Sequence, residues 1–70
     1  MMPLLMARRG DTNKISAVRG KDELKRFLAN LGFVEGSAVT VISDIDGNLI
    51  VNVKDASIAL SKQMAAKIFI

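Results

Sequence analysis

Neither cysteine nor histidine occurs anywhere in these 70 residues, and that double absence constrains the fold before any periodicity is considered. A chain this short buries only about 60% of the surface it exposes when unfolded, so domains of this size commonly recruit disulfides or a structural metal. Here no disulfide can form, and the usual thiolate and imidazole ligands of a zinc site are missing. The chain must fold by packing alone, as a single domain spanning residues 1–70. Half of its residues are hydrophobic, enough for a globular core, and its only aromatic residues are three Phe. The same absence excludes whole classes of chemistry: no Ser-His-Asp triad, no histidine acid–base pair and no thiol nucleophile can be assembled. A binding domain is expected, not an enzyme.

The periodicity is mainly that of strands. After a turn at Gly10-Asp11, residues 14–17 alternate as a half-buried strand that Gly20 ends. Leu24, Phe27, Leu28 and Leu31 then recur at i, i+3, i+4 and i+7, one buried stripe of a helix over Lys21 to Leu31. Asp22 and Glu23 suit its N-terminal dipole, and Gly32 stands where a left-handed residue closes a helix. Val39 and Val41 alternate with Ala38, Thr40 and Ile42, the turn signal Asp46-Gly47 follows, and Leu49, Val51 and Val53 alternate in their turn. That pattern predicts a hairpin. Asp55-Ala56 reverses the chain again, Ser57 to Leu60 forms a short strand, Ser61 caps a helical turn, and Ile68-Phe69-Ile70 closes as a last strand. About five short strands, with one helix between the first two, fit a small, partly open barrel.

The apolar run from Met1 to Ala7 is short for a signal segment, contains Pro3, and is followed rather than preceded by Arg8 and Arg9. No export signal and no membrane insertion are expected, since no stretch nears the ~20 apolar residues of a spanning helix. A cytoplasmic protein is expected.

Asp44 and Asp46 form the only close acidic pair in the β region, but they flank a hairpin tip where no cleft would hold a sugar. With Asn48 and Asp55 they echo calcium-loop spacing, except that Leu49 takes the position of the loop's obligatory Gly. Met1, Met2 and Met6 read as an initiator and flexible packing rather than soft-metal ligands. Gly32 and Gly36 lie outside any apolar 20-residue segment, so their spacing marks turns rather than a membrane dimer. No phosphate-binding loop is present, and no cofactor is expected.

The net charge of +3 is uneven, because seven of the ten cationic residues lie in the first 26 positions. A basic surface of this kind suits an anionic partner. Nucleic-acid binding would centre on Arg8, Arg9, Lys21, Lys25 and Arg26. Tyr and Trp are absent, however, and Phe27 falls on the buried stripe, so base stacking and sequence readout are not expected.

The order of these features resembles the ferrous iron transport protein A family, the FeoA domain. The carrying residues are Leu31-Gly32-Phe33-Val34-Glu35-Gly36 directly before the strand Val39-Thr40-Val41-Ile42; Ile58-Ala59-Leu60 followed by Ala65, Ile68 and Ile70; and Leu5, Gly10-Asp11, Ile15, Val18 and Gly20 near the start. The resemblance implies an SH3-like small barrel and an accessory role beside FeoB, the GTPase-linked ferrous iron permease of bacteria. The same barrel resembles the C-terminal domain of iron-dependent repressors, which gives a repressor-type or nucleic-acid-associated module as a second reading. A third, a transition-metal-binding domain, would rest on Asp44, Asp46 and Asp55. Leu31, Gly32, Gly36, Leu60, Ala65 and Ile68 have structural tasks available as turn and core residues. Partner contact is therefore expected from Lys21, Lys25, Arg26 and Asn30 on the helix, with Phe33 projecting from the loop after it.

Overall fold

The computed structural model describes residues 1–70. Its first regular element is a 3-10 turn, Leu4–Met6, whose Leu4 is buried although the sequence assigned no structure there. Strand β1 (Thr12–Lys14) and strand β2 (Ala17–Val18) follow, then helix α1 (Asp22–Asn30). Strands β3 (Ala38–Ile45), β4 (Asn48–Val53) and β5 (Ala56–Ser61) lead into helix α2 (Lys62–Ala65) and strand β6 (Ile68–Phe69). They form a four-stranded sheet in the order β1-β3-β4-β5 and a two-stranded sheet of β2 and β6, all antiparallel.

Six strands appear where about five were expected, because the first strand divides. The Ile15 N–H donates to the Ser37 carbonyl at 2.9 Å, and the next amide, that of Ser16, donates to Phe69 at 2.7 Å. One extended run thus pairs first with β3 and then with β6, and the turn between them joins the two sheets. Alternation of side chains reports burial but not which neighbour a strand pairs with, so this division was invisible in the sequence.

Asp46 (φ 51°) and Gly47 (φ 81°) form the expected two-residue turn between β3 and β4. The next reversal falls at Lys54-Asp55, one residue earlier than predicted, with φ of 52° and 63°. A lysine in the left-handed region is uncommon, and its identity gave no warning of the turn. The register between β3 and β4 shifts between Val41 and Ser43, which marks a bulge at Ile42.

The inward positions of this sheet, Val39, Val41, Leu49, Val51, Val53 and Leu60, meet Leu4, Ile15, Leu28, Phe33, Ala65 and Ile68 in one core, with no polar residue buried among them. Three of the signature residues, Leu60, Ala65 and Ile68, therefore lie at its centre. Ser61 caps α2, its hydroxyl accepting from the Met64 amide at 3.2 Å.

Candidate partner-binding surface

Helix α1 reaches the core through one fully buried side chain, Leu28, with Leu24 and Leu31 half-buried beside it. Its C-terminus closes with the Gly32 amide donating to Ala29 (3.0 Å) and the Phe33 amide to Leu28 (2.9 Å), the two bonds of a Schellman motif. In that motif the residue after the glycine packs back on the last helical turn. Phe33 accordingly is 1% exposed. The expectation that Phe33 projects from its loop to meet a partner is overturned: the helix-closing geometry draws it inward.

The aromatic ring that faces solvent is Phe27, 48% exposed. At about 100° per residue, Phe27 sits at the edge of the Leu24–Leu28–Leu31 stripe rather than within it. The core takes the narrower stripe, and the assignment of Phe27 to the buried face is corrected with it. That angular offset was available in the sequence; the i, i+3 spacing alone concealed it.

The polar residues predicted for this surface are all exposed, but they do not share one face. Lys21 is the helix N-cap. Lys25 and Ala29 line a shallow depression with Ala17, Val18, Phe33 and Val34. Arg26 and Asn30 lie on the outward side, roughly opposite the buried stripe, and Phe27 occupies the flank away from Lys25. The contiguous outward set is thus Arg26, Phe27 and Asn30, with Lys21 and Lys25 on the other flank.

The other cations of the N-terminal half are partly engaged. Arg8 lies 3.5 Å from Asp11 in an exposed ion pair, and Arg19 stacks 4.7 Å from the centroid of the Phe69 ring.

The acidic candidates are held apart. Asp44 and Asp46 lie at the β3–β4 hairpin, where Lys62 approaches Asp44 at 3.9 Å, while Asp55 belongs to the turn at the other end of β4. No three His, Cys, Asp or Glu side chains come together where they could hold a metal ion. Carboxylate oxygens separated by the length of a strand cannot share one cation, which removes Asp44, Asp46 and Asp55 as a joint site.

With that geometry in place, the sequence model of the FeoA domain matches residues 2–70. The chain belongs to the FeoA domain family. No curated protein sequence matches it. Among solved structures, this FeoA domain is similar to the iron uptake regulatory protein FeoA solved by sulfur SAD, at 22% identity over 96% of this chain and 89% of that one, with a TM-score of 0.87. It is also similar to Stenotrophomonas maltophilia FeoA complexed with zinc, described as a unique procaryotic SH3 domain protein; identity is 26%, coverage 97% and 87%, and TM-score 0.83. A manganese-dependent transcriptional repressor matches at 23% identity and a TM-score of 0.84 over 94% of this chain but only 38% of the repressor, a likeness of fold alone. The expected SH3-like architecture is that of this FeoA domain, and no helix in it is long and apolar enough to cross a membrane.

Proposed function

We propose that this FeoA domain is a cytoplasmic accessory of ferrous iron uptake that acts by binding a FeoB-type GTPase-permease. The supporting observation is the FeoA family match over residues 2–70, joined to a helix whose outward residues include an exposed Phe and Arg. Large side chains of these types anchor protein interfaces, because they bury much area for little lost freedom. The binding surface in this reading is α1, with Arg26 and Phe27 as anchors, Asn30 beside them, and Lys21 and Lys25 attracting an acidic partner surface. In this reading its role is to bias the transporter through that surface.

The test is binding to the FeoB of the same organism, purified in nanodiscs, with an oligonucleotide as competitor. Saturable binding that the oligonucleotide does not displace supports the reading. Absence of binding to FeoB, together with salt-sensitive binding to the oligonucleotide, would transfer the domain to the repressor-type class.

A further inference from the structure

Strand β5 has only one side in use. It pairs with β4 through six successive residues, Val53 with Ala56 through Asn48 with Ser61. No backbone hydrogen bond outside that ladder involves residues 56–60, and β5 is a terminal strand of its sheet. Because Lys54-Asp55 is a two-residue turn with both residues left-handed, Val53 and Ala56 exchange both of their hydrogen bonds across it. The alternation then gives Ile58 and Leu60 to β4 and turns the N–H and C=O of Ser57 and Ala59 outward. Both residues are exposed.

Natural edge strands avoid pairing by brevity, charge, proline or a bulge. Ala56-Ser57-Ile58-Ala59-Leu60-Ser61 has none of these: six residues, no charge, no proline and an unbroken register. The strand at the opposite edge, β1, is only three residues long.

We infer that a second copy of this chain covers the edge, its β5 pairing antiparallel with this one about a two-fold axis at Ile58. Antiparallel pairing of identical strands is self-complementary, so one patch serves both copies. In this register Ser57 of each copy exchanges both backbone hydrogen bonds with Ala59 of the other. The two Ile58 side chains then face each other across a non-hydrogen-bonded pair, with Cα atoms about 4.5 Å apart. Ile58 lies on the core side, opposite Val51, yet is only partly buried because nothing stands beyond it. A second Ile58 covers that open flank. At the rims this register sets Asp55 of one copy opposite Ser61 of the other and Lys54 opposite Lys62, so charge adds no attraction and the contact rests on Ile58 and the backbone hydrogen bonds. The contact is one strand wide, so the dimer forms reversibly and at high concentration. It does not depend on transporter binding, and loss of either leaves the other standing.

Sedimentation and light scattering from about 10 µM to about 1 mM test it, because dimerisation follows mass action. The mass should rise from the 7.6 kDa of one chain towards twice that value, with the Ser57 and Ala59 amides exchanging more slowly as the mass rises. Ala59→Pro should abolish the rise, since it removes an outward N–H that the monomer does not use. Ala59→Lys, which keeps the amide and places a charge beside the edge, should also abolish it and serves if the proline variant folds poorly. A mass of one chain throughout the range would overturn the inference. So would a dimer that survives both variants, or protection of the β5 amides by FeoB in a chain that stays monomeric.

Discussion

Two residues explain why the surface of α1 differs from its sequence expectation. Gly32 stands at φ 108°, and a Cβ there would lie 2.7 Å from Cγ of Lys54. Only glycine meets both conditions. Gly32→Ala should therefore destabilise the domain by about 1–3 kcal/mol, the range for a non-glycine residue forced into such backbone, as read from urea unfolding. Gly32 turns the chain so that Phe33 packs beneath the helix, whereas Phe27 lies outside by its angular position on α1. The two phenylalanines are thus expected to behave oppositely: Phe33→Ala should cost about 3–5 kcal/mol as a large core deletion, and Phe27→Ala should stay within about 0.5 kcal/mol of the parent. Equal losses of stability would contradict this assignment of inside and outside. At this scale Gly32 and the inward valines were legible, because each answers to one local rule. The burial of Phe33 was not, since it depends on how tightly the helix end winds; the exposure of Phe27 could have been read from its angular offset on the helix.

At the scale of elements, the sheet and the helix are held very differently. Strands β3, β4 and β5 share long ladders, interrupted only by the bulge at Ile42, and contribute six buried side chains, whereas α1 has Leu28 alone fully buried. Short helices gain most of their stability from such packing. Backbone amides of α1 should therefore exchange with solvent faster than those of β4, and Leu28→Ala should cost about 2–5 kcal/mol while accelerating exchange first in the helix. Uniform protection across both elements would show the helix to be as firmly fixed as the sheet. The helix limits, the Asp46-Gly47 hairpin and the Ser61 cap were legible because their end signals are written in neighbouring residues. The passage of residues 12–18 from one sheet to the other was not, because pairing partners lie far along the chain. The separation of Asp44 and Asp46 from Asp55 was legible too, because the predicted strand between the two turns already sets them at its opposite ends.

For the molecule as a whole, a core without polar groups and a chain without cysteine or histidine leave recognition to its surface. The fold was legible from the order of turns and apolar runs, which resembles the FeoA domain, and that family is the one its sequence model matches. Of the residues expected to meet a partner, Lys21, Lys25, Arg26 and Asn30 are exposed, whereas Phe33, expected to project from its loop, is buried. The proposed function places the contact with FeoB on α1, with Phe27 and Arg26 outward. Its most direct test is a titration of the 15N-labelled chain with the cytosolic GTPase domain of its own FeoB, followed residue by residue through amide shifts. Changes should concentrate over residues 21–30 and weaken when Phe27→Ser and Arg26→Glu are introduced together. Shifts confined to the sheet, or none at high micromolar partner, would contradict it.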